Sequence, residues 1–187
     1  MSDATAIATI SDIYEFVSVS DSGDDTLIQN LIDRKTEMFE NYCEIDSFFI
    51  ADYVEYYDGR GSGYLFVKNN PINSITNIAD DTDWLWGADS TIASADYRIV
   101  ENRYAVYKYS FADGIQNVRI SYNAGHSVIP LDLKQVFIEE VWRNYKRRKE
   151  QDVIIKTLQD GSTHFVPSGL MPSTKQVLNK YRRMRAY

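Results

Sequence analysis

Residues 121–149 read SYNAGHSVIPLDLKQVFIEEVWRNYKRRK, and the apolar spacing changes within them. Just upstream, Val118, Ile120 and Tyr122 alternate with polar residues, the period of a half-buried strand. Asn123-Ala124-Gly125 then marks a turn, and a helix is expected over 130–149, with Pro130 in its first turn where a missing N–H costs nothing. Asp132 falls near the positive end of the helix dipole, and Lys146, Arg147, Arg148 and Lys149 near the negative end. Leu133, Val136, Phe137, Ile138, Val141, Trp142 and Tyr145 spread over roughly two-thirds of the circumference, wider than one packing stripe. Glu139, Arg143 and Lys146 hold the remaining polar strip. A helix this apolar has more than its own fold to cover. Phe137, Ile138, Val141, Trp142 and Tyr145 are therefore the candidates for contact with another subunit.

At 187 residues with 44% apolar composition, the chain is one domain with appendages and can bury about 70% of its unfolded surface. No run approaches the ~18 apolar residues of a membrane span, and the acidic opening MSDATAIATISD has no secretory pattern. The single Cys43 excludes an intrachain disulfide framework and reads as a packed core thiol. The net charge of −7 conceals an asymmetry. Residues 1–58 carry −12, residues 59–142 carry −3 and residues 143–187 carry +8. An acidic front argues against nucleic-acid binding by the whole domain. The basic end suits phosphate, an acidic protein surface or plain solvation.

Along the chain, residues 11–18 read as a short helix capped by Ser11, and residues 24–46 as a second, amphipathic one. On the second, Asp33, Glu37, Glu40 and Glu44 crowd one face. That face is either water-facing or a lining that keeps DNA from sticking in a passage. From residue 48 to 122 the period is two. Strands are expected at 49–57, 63–68, 72–78, 96–101, 104–110 and 115–122, joined by short turns as an antiparallel meander. The glycine-rich Asp58–Gly63 segment reads as a hairpin turn, since no helix follows it to cradle phosphate. In residues 80–94 the tryptophans either anchor a contact or close a sheet end. Asp80, Asp81 and Asp83 lack the spacing of a calcium loop. Residues 153–155 and 163–166 could form a small hairpin, and Ser173 could cap a last, weakly apolar segment rich in Lys and Arg. The fold class is thus α+β, with amphipathic helices packed on an antiparallel sheet in a core over 1–150, followed by an extension and basic arm over 151–187.

Catalytic and metal chemistry find no constellation. His126 and His164 lack partners at ligand spacing, and Ser62 lies in GRGSG rather than a strand-to-helix elbow. Glu139 and Glu140 are adjacent on a helix and cannot converge. The expectation is no enzyme, no cofactor and no metal.

Taken in order, these features resemble a known family. They are the opening DDTLIQNLID (24–33), the segment YYDG (56–59), YLFVKNNPI (64–72), VRISYNAG (118–125), IPLDLKQ (129–135) and the aromatic-basic end Trp142–Arg148. Over about Ile13 to Lys149 the chain is similar to the head–tail connector proteins (adaptors, or head-completion proteins) of tailed bacteriophages. The resemblance implies a ring, usually of twelve copies, in the virion neck beneath the portal, with a stopper or tail-completion protein below. Genomic DNA would pass through its channel without sequence-specific binding, and no membrane is involved. It also implies that residues 168–187 reach the portal, making Met171, Lys175, Leu178, Lys180, Tyr181, Arg182, Arg183, Arg185 and Tyr187 the candidate arm. Two other readings remain. One is a carbohydrate- or envelope-binding module using Trp84, Trp86, Tyr97 and Tyr104 as an exposed platform; the other is a different neck protein, a stopper or tail terminator.

Overall fold

The computed structural model describes residues 6–17, 22–100, 104–148, 155–158, 161–164 and 169–184. Its helices are α1 (Ile10–Val17), α2 (Asp25–Cys43), α3 (Leu131–Arg147) and α4 (Pro172–Leu178). Its strands are β1 (Ala51–Gly59), β2 (Tyr64–Phe66), β3 (Ile72–Asp80), β4 (Tyr97–Ile99), β5 (Ala105–Lys108), β6 (Gly114–Ala124), β7 (Ile155–Leu158) and β8 (Gly161–His164). The class is α+β, as the two periodicities require. The chain divides into two compact units, Met1–Phe39 with Pro130–Lys180 and Glu40–Ile129 with Tyr181–Tyr187.

The first unit is helical. α1 starts one residue earlier than expected, because its cap is Thr9 and not Ser11. The Asp12 carboxylate accepts the Thr9 N–H at 2.8 Å, and the Asp12 N–H donates to Thr9 Oγ1 at 3.3 Å, a reciprocal capping box. Lys134 of α3 donates to Asp12 at 2.8 Å, tying α3 to α1. Phe39 and Phe137 meet edge to face at 5.3 Å, and Ile13, Leu133, Phe137 and Val141 are fully buried. The β7–β8 hairpin pairs Ile155 with His164 and Leu158 with Gly161; its expected turn residues 159–160 lie outside the described residues.

The second unit holds the strands, and here the connections differ from the expected meander. β6 lies between β1 and β3 in one antiparallel sheet, and β5 lies between β2 and β4 in another. The Asp58–Gly63 segment is therefore a crossover from one sheet to the other rather than a hairpin. The reason lies in β6. Its Val118, Ile120, Tyr122 and Ala124 are buried on one face, and both of its edges are paired, with Tyr57 opposite Val118 on one side and Ile78 opposite Ile120 on the other. Leu65, Val67, Val106 and Phe111 complete the core from the second sheet.

Two glycines allow backbones to meet where no side chain fits. A Cβ on Gly59 would lie 1.8 Å from the Ala112 carbonyl oxygen, and one on Gly125 would lie 2.2 Å from the Phe49 carbonyl oxygen. Gly125 also sits at φ +116. Asn117, 1% exposed, ties the crossover down. Its Oδ1 accepts the Gly59 N–H at 2.7 Å, and its Nδ2 donates to Asp80 and to the Ala112 carbonyl, both at 3.1 Å.

Candidate assembly surfaces

α3 buries more than the sequence-level stripe. Phe137, Ile138 and Val141, expected at a subunit contact, are 0%, 7% and 0% exposed within the chain's own fold. What α3 leaves at the surface is its C-terminal end. There Trp142 and Tyr145 stack at 5.1 Å and 13°, Lys146 lies 5.0 Å over the Trp142 ring and Arg148 3.9 Å over the Tyr145 ring. Tyr145 donates to Asp24, which Arg148 also reaches at 3.2 Å.

The wide apolar face is explained by α4 and by a buried charge. Glu140, placed by the sequence beside a polar strip, is 1% exposed. Its carboxylate accepts the Met171 N–H at 2.8 Å, the Thr174 hydroxyl at 2.9 Å and the Arg143 guanidinium, with Lys35 Nζ at 3.7 Å. Burial pushes the Glu140 carboxyl up. The Met171, Arg143 and Thr174 hydrogen bonds more than offset that and hold it below the usual carboxylate value. Burial likewise lowers the Lys35 ammonium, against the pull of Glu140. Arg143 also donates to the Gly169 carbonyl. The segment that the composition reads as an unattached arm is thus clasped to α3, with Leu178 fully buried and Lys180 bonded to Asp132 at 3.0 Å. No sequence signal marks a lone Glu as the anchor of a segment thirty positions away.

In the second unit, residues 181–184 are also held. The Tyr181 ring meets Phe48 at 6.4 Å and His126 at 5.8 Å, the Arg183 N–H donates to the Cys43 carbonyl at 2.8 Å, and Arg182 pairs with Glu44. Of the candidate arm residues, Lys175 is exposed, and Arg185 and Tyr187 lie outside the described residues. Glu44 is a helix cap at φ 59; its N–H donates to the Asn41 carbonyl and the Ile45 N–H to the Glu40 carbonyl, both at 3.2 Å, the Schellman pattern. Of the four acidic residues, Asp33 and Glu37 are exposed and Glu40 is half-buried. Cys43 is fully buried, and burial pushes its thiol up to about 12.

The two tryptophans of the loop are placed differently. Trp86 closes the sheet, 5.5 Å from Tyr56 and under Arg119 at 5.0 Å, whereas Trp84 is 58% exposed. Tyr97 packs against the core, and burial raises the Tyr104 hydroxyl. The four aromatics do not form one platform. Asp80 takes the Ala112 N–H and Lys108, and Asp81 takes the Asp83 and Trp86 N–H groups, so both carboxylates brace loops.

Comparison with known proteins follows this geometry. Among solved structures the fold is shared with a chain in the neck of an empty gene transfer agent (GTA) particle computed with C6 symmetry. That match has a TM-score of 0.61 and 13% identity, over 97% of this chain and 92% of that one. It is shared likewise with a chain in the neck of a native GTA particle computed with C12 symmetry, at a TM-score of 0.57 and 12% identity over 95% and 90%. A third is in the virion of a native GTA particle, at a TM-score of 0.55 and 13% identity over 97% and 92%. A search of curated proteins found no match. The sequence profile of the head completion proteins matches residues 6–184, nearly the full length, and the chain belongs to that family.

Proposed function

We infer from this membership that the chain is a structural protein of a virion neck, a head–tail adaptor, and propose that it works as a ring of identical copies. The observation that carries the reading is the family match across residues 6–184. The neck chains that share its fold come from particles computed with C12 and C6 symmetry, which favours twelve copies around a channel for genomic DNA. The ring docks on a portal on one side and on a stopper or tail-completion protein on the other. Its role is structural rather than catalytic.

Within that reading the half-buried Trp142 and Tyr145, not the buried Phe137, Ile138 and Val141, face the neighbouring subunit from α3. Asp33 and Glu37 are the acidic residues free to line a DNA passage and repel its phosphates. The exposed Lys175 of the C-terminal segment meets the portal. Deleting the whole segment would be a poor test, because it strips Glu140 of two donors. Lys175→Glu keeps the clasp. Electron microscopy of the protein with purified portal should show twelvefold rings on wild-type portals and a loss of docking in this variant. Wild-type protein that neither forms rings nor binds portal would overturn the proposal.

A further inference from the structure

Two features of the second unit remain without a task. The first is the tip of the loop after β3. Trp84 and Trp86 sit at φ 58 and 54, a region that bulky side chains occupy only when their surroundings hold them there. Asp81 does the holding, with its carboxylate on the Asp83 N–H at 2.9 Å and the Trp86 N–H at 2.7 Å. The result turns Trp84 and Leu85 outward, 58% and 82% exposed, beside Ile115 at 73%. Trp84 Nε1 donates to the Ile115 carbonyl at 3.0 Å, which fixes the ring. Asp83 stands next to them, exposed, and its carboxylate makes no hydrogen bond or ion pair among the described residues. A firmly braced loop thus presents an indole, an isobutyl group and an unpaired carboxylate together.

The second feature is a cavity of about 590 Å³ walled by Tyr57, Tyr64, Phe66 and Phe111, with Arg183 in its lining. The Arg183 Nε is buried without an acceptor, and its guanidinium forms no ion pair within 4 Å among the described residues, Asp46 being the carboxylate it acts on at longer range. An unpaired guanidinium donor in such a place is costly unless something arrives to accept from it. Asp58 and Arg60 also line the cavity, so with Arg183 its charge is net positive by one. Asp58 is already taken up by the Gln116 N–H at 2.8 Å.

We propose that the Asp83–Trp84–Leu85 tip of one copy seats in the Tyr64–Phe66–Phe111 cavity of a second copy, with Asp83 on Arg183. The chemistry matches on both counts. The apolar pair meets aromatic walls, and the Asp83 carboxylate, which has no partner among the described residues, meets a guanidinium that no ion pair within 4 Å holds. The cavity lies in the ~300–1,000 Å³ range that encloses a compact guest. Tip and cavity are neighbouring but distinct patches, with Trp86 against Tyr56 and Ile115 next to Gln116, so one copy's tip in a second copy's cavity is a head-to-tail contact, the kind that can close into a ring. A tryptophan and an arginine at its centre give it the composition of an interface hot spot. The inference rests on the ring assembly proposed above and names the surfaces that join its subunits.

A charge swap tests it. Asp83→Arg and Arg183→Asp are made singly, mixed with each other and combined in one chain, and self-association of the full chain is followed by native mass spectrometry and sedimentation over a dilution series. Each single variant, and Trp84→Ala, should weaken association roughly thirtyfold. The mixture of the two single variants and the double variant should both recover it. Arg183→Gln guards against misfolding of Arg183→Asp, with circular dichroism as the check. In a Trp86→Phe, Trp142→Phe background that sedimentation shows to associate as the wild type does, Trp84 emission should shift to the blue as copies associate. Wild-type rings that all these variants leave unchanged, or a Trp84 emission that stays red in the assembly, would overturn this contact and leave the ring standing. Charge-swap-sensitive closed pairs in place of rings would support the contact and remove the ring. A wild-type chain that stays monomeric at every concentration would remove both.

Discussion

Each unit of the molecule is organised around a glutamate, and the two are treated differently. Glu140 in the first unit is almost wholly enclosed and answered by charges, Arg143 and Lys35, together with the Met171 N–H and the Thr174 hydroxyl. Glu55 in the second is half-buried and answered by neutral donors. Tyr122 reaches it at 2.7 Å, Asn69 Nδ2 at 3.0 Å, and Tyr57 through its hydroxyl. The same hydroxyls turn back to the chain, Tyr57 accepting the Lys68 N–H at 2.6 Å and Tyr122 the Asn69 N–H at 3.1 Å. The neutral network fixes the path from β2 to β3. The charged one fixes a segment from the far end of the sequence. A clasp made of charges is strong while complete and costly once broken, because each survivor is left in a poorly solvated place.

The sharpest way to break the comparison is Glu140→Ala. It strands Arg143 and the buried Lys35 and deprives Met171 and Thr174 of their acceptor, so a loss of about 3–5 kcal/mol is expected. Chemical denaturation measures it, and hydrogen exchange should show residues 169–180 opening first. Acid acts on the same group. The Glu140 pKa is held below the ordinary 4.5, so its contribution is present above that value and lost as pH falls through the lower folded-state value. Exchange at the Met171 amide should quicken across that acid range, and Glu140→Gln should flatten the dependence. In the second unit, Tyr122→Phe leaves the Asn69 N–H without an acceptor and Glu55 with one donor fewer. The expected cost is about 1–3 kcal/mol, with opening confined to residues near 67–70. Equal losses with equal spread in the two variants would dissolve the distinction between clasp and network.

How much of this was legible in the residues varies with distance along the chain. The helices at 25–43 and 131–147 follow from apolar spacing alone, since a period of 3.6 is a local property. The strands were also legible, but not their partners. Period two says which face of β6 is buried and nothing about which strands flank it, so the Asp58–Gly63 segment read as a hairpin when it is a crossover. Asn117, the side chain that fixes this crossover, has no motif. On α3 the wide apolar face reads as needing a second surface, and α4 of the same chain covers part of it, invisible in the sequence because its few apolar residues look too sparse to fold alone until Glu140 is counted with them. Asp83, whose carboxylate has no partner among the described residues, is harder still, since a sequence does not say which of its charges go unanswered.

The smallest effect concerns the start of α1, where two hydroxyl residues two positions apart compete for one role. Ser11 has the composition of a cap, but the reciprocal bonds run between Thr9 and Asp12. Thr9→Ala removes an acceptor for an N–H that has no intrahelical partner, and about 1 kcal/mol should be lost. Thr9→Ser should recover most of it, because the hydroxyl is retained. Ser11→Ala should stay within about 0.5 kcal/mol of wild type, as exposed positions away from such features do. Asp12 also accepts from Lys134 of α3, so loosening the cap frees one side of that ion pair. The loss in Thr9→Ala should therefore show as faster exchange in α1 and the first turn of α3, with the amides of β1 and β6 unchanged. A larger loss from Ser11→Ala than from Thr9→Ala would move the cap back to where composition alone puts it.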